Sequence, residues 1–106
     1  MSRKNKPKWF ERVEKKHPQF INAVEGLGKA VREEGPLDEK TSNLIQLAAA
    51  AANRSEGAVH SHTRRAIEAG AKQDEIIHAI ILLTNTIGFP NVSAALSWAD
   101  DVMGDK

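Results

Sequence analysis

Apolar residues in this chain recur every three or four positions, and no stretch alternates convincingly with a period of two. That spacing limits the fold to packed helices. A short first helix is expected over residues 8–16, ending before His17-Pro18 because the residue ahead of a proline resists the α region. Phe20, Ile21, Val24, Leu27 and Val31 sit at helical spacing and predict a second helix over residues 18–34, with Gly35-Pro36 as its stop. Asp38 is placed to cap a third, marked on one side by Leu44, Leu47, Ala48 and Ala51. Ser55 would cap the fourth. A fifth, dense in Ile and Leu, is expected over residues 73–87 and ends at Gly88. Pro90 begins the sixth, at a position that tolerates its missing N–H, and Val92, Ala95, Leu96, Ala99 and Val102 form its inward stripe. The expected fold is all-α, with about six helices.

At 106 residues the chain makes one domain with a modest core. Hydrophobic residues at 41% and charged residues at 27% are ordinary for a water-soluble globule. No apolar run is long enough to span a bilayer, and the start of the chain lacks a secretory apolar centre, so the cytoplasm is the expected location. The absence of cysteine excludes disulfides, thiolate metal sites and thiol chemistry. Charge is uneven. Residues 1–18 carry seven basic and two acidic side chains, and the remainder is net negative. Residues 1–17 therefore read as a basic arm with a short helix, ahead of a helical domain over 18–106. Such an arm can bind nucleic acid, but no basic helix face, zinc motif or aromatic platform accompanies it, so a solvated or subunit-docking tail is the preferred reading.

The run Ala48 to Ala52 lets neighbouring helices approach on more than one side, where the plainer reading is simply high helix propensity. On the fifth helix Ile76, Ile77, Ile80, Ile81, Leu82 and Leu83 exceed a single inward stripe. Together these features predict a homo-oligomer.

The fourth helix carries the chemistry. Val59, His62, Thr63, Ala66, Ile67 and Gly70 share one face, which makes His62 the only ionisable group on the expected buried stripe. A core-facing histidine is commonly structural, but one at a cleft can move protons near neutral pH. His60 lies about 200° away round the helix and shares its face with Glu56. Two histidines at i, i+2 point apart, so a metal set would have to combine Glu56 and His60, at i, i+4, with His78 from the next helix. The alternative is an ordinary surface pair. Trp9 and Trp98 are expected to be packing anchors, and His17 a solvated linker residue.

The segment NRSEGAVHSHTRRAIEAGAKQDEI at residues 53–76, with the preceding LDEKTSNLIQLAAAAA and the following IILLTNTIGFP, resembles the carboxymuconolactone decarboxylase family, which includes the AhpD-like alkylhydroperoxidases. The resemblance runs over about residues 20–103 and implies an AhpD-like helical domain assembled as trimers or hexamers. AhpD-like members open the fourth helix with Cys-x-x-Cys and carry a histidine four residues later, which His62 matches. Here the two cysteine positions hold Ser55 and Ala58, and the relay glutamate of the preceding helix falls near Asn43. A serine hydroxyl has too high a pKa, and no disulfide chemistry, to replace a peroxidatic thiol. Peroxiredoxin-type activity therefore has nothing to run on.

The lactone decarboxylase branch also lacks cysteine and keeps the histidine. Its Tyr-x-Gly-x-Pro-like turn reads here as Thr86-Ile-Gly-Phe-Pro90, without the tyrosine. The resemblance implies a cofactor-free, lyase- or isomerase-like reaction on a small carboxylated metabolite. His62, His60 and Glu56 would handle protons; Arg54 or Arg64 would meet the carboxylate, and Asn43 and His78 are further candidate substrate contacts. The competing class is a non-catalytic oligomeric binding or scaffold protein that kept the fold after losing the thiols.

Overall fold

A computed structural model describes residues 6–104. Among these, seven helices follow in order: α1 (Lys8–Lys16), α2 (Pro18–Glu33), α3 (Glu39–Ala52), α4 (Glu56–Glu68), α5 (Gln73–Ile81), α6 (Thr84–Ile87) and α7 (Phe89–Met103). The all-α expectation holds. Contacts divide the chain into two compact units, one up to Leu37 and one from Asp38 onward.

In the first unit α1 packs on α2. Lys6 ties them: its Nζ lies 3.2 Å from Glu14 of α1 and 3.5 Å from Glu25 of α2, over the Phe10 ring at 5.0 Å. Trp9 meets Phe10 edge-on, at 5.6 Å between centroids, yet is more than half exposed, so it is not the buried anchor expected of it. On α2 only Ile21 is buried. Phe20, Val24, Leu27 and Val31 form an apolar stripe open to water.

The second unit has the larger core. Its α3 and α4 run as a hairpin, with α7 against α4 and α5 against both α3 and α7. Leu47, Val59, Ile76, Ile80 and Val92 are sealed inside, each burial contributing roughly 1.5–3 kcal/mol. Alanines 50, 51, 66, 71, 95 and 99 fill the space between them. Trp98 packs partly buried against this core, as expected. Among the described residues no helix is long and apolar enough to cross a membrane.

Local chemistry sets the helix ends. The Asp38 carboxylate accepts the Thr41 N–H at 2.7 Å, and Ser55 Oγ accepts the Ala58 N–H at 3.3 Å. The α3 and α4 C-termini close by the same paired bonds. Ser55 N–H donates to Ala50 O and Arg54 N–H to Ala51 O; Ala71 N–H donates to Ala66 O and Gly70 N–H to Ile67 O. The left-handed residue is Gly70 (φ 98°) in one turn and Arg54 (φ 55°) in the other.

Three expectations need correction. The fifth helix stops at Ile81, because the Thr84 hydroxyl donates to the Ile81 carbonyl at 2.7 Å, competing with the N–H a continuing helix would supply. Residues 84–87 form the separate, four-residue α6. The inward face of α3 is Asn43, Leu47, Ala50 and Ala51, with Leu44 and Ala48 only partly covered. On α7 the last buried residue is Met103, not Val102.

Candidate functional site

The buried stripe of α4 is Val59, Thr63 and Ala66, narrower than the spacing implied. Ile67 and Gly70 are exposed, and His62 sits at the flank, half-buried. Its Nδ1 is shielded from solvent while the residue keeps partial exposure. That places the imidazole at the edge of the core, with one ring nitrogen covered and the residue still partly open to solvent.

Both helices of the α3–α4 hairpin carry buried polar atoms. Asn43 is 3% exposed; its amide donates to Glu39 O at 2.9 Å, and its Oδ1 is buried with no hydrogen-bond partner among the described residues. Gln46 Oε1 on α3 and Thr63 Oγ1 on α4 are buried in the same condition. Leaving a buried acceptor unsatisfied costs about 1–3 kcal/mol, so such atoms mark places for a water or a ligand donor. Thr63 was legible as a member of the expected buried face of α4, whereas Gln46 had no distinguishing sequence signal.

The other predicted residues fall into separate places. His60, three-quarters buried in its side chain, points Nε2 at Asp101 Oδ2 of α7 at 3.0 Å, with Glu56 Oε2 one helical turn back at 4.0 Å. His78 is not among the donors gathered there, so Asp101 occupies the place expected of it. No local pattern pointed to Asp101, which is 41 positions from His60. Arg54 lies exposed in the α3–α4 turn, and Arg64 is half-buried on α4.

His78 instead lines an open groove of about 430 Å³ between α3 and α5, with Thr41, Leu44, Ile45, Ala48, Glu75, Ala79, Leu82 and Leu83. Lys40 bridges its rim to Glu75 at 3.0 Å. The backbone N–H of Lys72, then the Lys40 ammonium, hold the Glu75 carboxyl below its usual range. The Thr41 N–H does the same for Asp38. Neither this groove nor the charged hollow along α1 is lined by His62.

The likeness to known proteins agrees with the helical order. Residues 18–101 match the model of the carboxymuconolactone decarboxylase family. An uncharacterized protein of Methanocaldococcus jannaschii is 34% identical over 97 residues, covering 92% of this chain and 91% of its own length. An uncharacterized protein of Haemophilus influenzae is 37% identical over 59 residues, 56% of this chain and 52% of that protein. Among solved structures, the apo form of a carboxymuconolactone decarboxylase family protein from Legionella pneumophila superposes with a TM-score of 0.75 at 23% identity, over 89% of this chain and 87% of that one. That likeness speaks for the fold. The family match from α2 through most of α7, with the Methanocaldococcus jannaschii relative aligned over nine-tenths of both chains, speaks for the lineage: this chain belongs to the carboxymuconolactone decarboxylase family.

Proposed function

We propose that the protein is a non-redox member of its family, a cofactor-free acid–base enzyme of the lyase or isomerase type acting on a small carboxylated metabolite. His62 is its proton carrier. The observation that carries this is the seam along α3 and α4: a half-buried imidazole on one helix, and the unsatisfied buried acceptors Asn43 Oδ1 and Gln46 Oε1 on the other. A hairpin retained only for packing would replace such atoms with apolar ones at little cost. Without a thiol, redox catalysis by cysteine has no nucleophile, which leaves proton transfer as the chemistry these side chains support.

His60 and Glu56 belong to the same helix as His62 and supply further proton-handling groups. Arg54, in the turn that joins the two helices, is the cation for a substrate carboxylate. Asn43 is the further substrate contact within the hairpin, whereas His78 faces the α3–α5 groove, which His62 does not line. His62 lines neither that groove nor the charged hollow along α1, and in this reading its pocket is completed by a second copy, in a trimer or hexamer. The apolar α2 stripe and the exposed Ile45, Ile81 and Leu82 of the second unit supply surface for that assembly.

The test combines mass and ligand measurements. Light scattering behind size exclusion should give three or six chains at micromolar concentration. A thermal-shift screen of small carboxylic metabolites should identify compounds that stabilise the wild type, and His62→Gln should lose turnover of any hit while keeping the oligomer. A monomer, or hits converted equally well by the variant, would overturn the reading. An oligomer that binds its hits at the seam without converting them is a binding protein.

A further inference from the structure

We propose that Glu56, His60 and Asp101 form a surface site for a divalent transition cation of the zinc class, clipping the first turn of α4 to the last turn of α7. Glu56 Oε2, His60 Nε2 and Asp101 Oδ2 lie within 4.8 Å of one another. Donors sharing one Zn²⁺ at about 2.1 Å stand roughly 3.0–3.4 Å apart in octahedral or tetrahedral arrangement. The His60–Asp101 separation of 3.0 Å already meets that spacing. Glu56, at 4.0 Å from His60 and within 4.8 Å of Asp101, would reach that spacing by moving its exposed side chain.

The parts are held unequally, in a way that suits a weak to moderate site. His60 is the least exposed of the three; Val59 beside it, and Ala99 and Met103 on either side of Asp101, are anchored in the core. The two carboxylates are more than half exposed and keep room for water on the open coordination positions. Charge favours the same occupant. The last turn of α7 carries Asp100 and Asp101, with no basic residue to answer the negative end of the helix dipole. One neutral imidazole and two carboxylates present a double negative charge to a divalent ion. This donor set prefers a borderline cation such as Zn²⁺ to the all-oxygen shell that Ca²⁺ takes.

The site shares His60 and Glu56 with the proposed enzyme but does not depend on His62 or on catalysis. Calorimetric titration of the full chain with Zn²⁺ should give one site per chain with a micromolar Kd. His60→Ala should abolish it, and Asp101→Asn and Glu56→Gln should each weaken it at least tenfold. His17→Ala, at an exposed histidine outside the cluster, should bind as the wild type does. Co²⁺ should show visible ligand-field bands with the wild type that vanish in His60→Ala. Zinc binding retained in His62→Gln separates this site from the acid–base reading. No binding up to millimolar zinc, or equal binding by wild type and a folded His60→Ala, would overturn the proposal.

Discussion

Arg54 is held at φ 55°, in a turn whose counterpart at the end of α4 uses Gly70. A left-handed backbone costs an ordinary L-residue about 1–2 kcal/mol, partly offset because glycine is more disordered when unfolded. Arg54→Gly should therefore stabilise the protein by about 0.5–1 kcal/mol in urea unfolding. Gly70→Ala should destabilise it by a similar amount, although a Cβ there meets no atom within 4 Å, because the penalty lies in the backbone. If Arg54 holds the substrate carboxylate, Arg54→Gly should also lose the thermal shift produced by carboxylic ligands. Stabilisation with ligand binding intact would remove Arg54 from the site.

Helix starts on α3 and α5 carry the clearest pH dependence. Asp38 accepts the Thr41 N–H; Glu75 accepts the Lys72 N–H and the Lys40 ammonium. Both carboxyls are lowered in the folded state from ordinary values of 3.8 and 4.5. A lowered carboxyl contributes stability above its unfolded pKa and loses it as pH falls through the folded one. Thermal midpoints should hold steady around neutrality and drop as the medium is acidified below about pH 4.5. The Asp38→Asn, Glu75→Gln variant should start lower at pH 7 and decline less steeply; an unchanged acid limb would assign the loss to other carboxyls. Both groups are solvent-exposed, so the difference is small and needs the paired comparison. These caps were legible beforehand: Asp38 and Ser55 precede apolar helical runs, and their hydrogen bonds reach only three residues ahead. The end of α5 was not, because a threonine hydroxyl competes with the backbone locally, against a run of Ile and Leu that otherwise favours continuing the helix.

Assembly and core respond to different substitutions. Leu47 is fully buried, and Leu47→Ala should cost about 2–5 kcal/mol, a large share of the roughly 5–15 kcal/mol that holds a small domain together. Leu82 is 62% exposed, so Leu82→Asp should leave the chain's thermal unfolding cooperative. If the α3–α5 groove lies within a subunit contact, light scattering should find the variant as smaller particles than the wild type. An unchanged mass would place the contact elsewhere, the α2 stripe of Phe20, Val24, Leu27 and Val31 being another exposed apolar face.

Helix type, most helix limits and the lack of sulfur chemistry could be read from residue order alone, because turns, caps and side-chain periodicity are governed by groups three to five positions apart. His62 could be placed on α4 for the same reason. Its position at the flank of the stripe, the burial of Asn43 and the meeting of His60 with Asp101 depend on how α3, α4 and α7 cross. Those crossing angles arise from many apolar contacts between distant segments, so residues far apart in the chain become neighbours without any local pattern announcing it. His78 turned toward the groove for the same reason: packing Ile76 and Ile80 inward fixes where the rest of α5 must face.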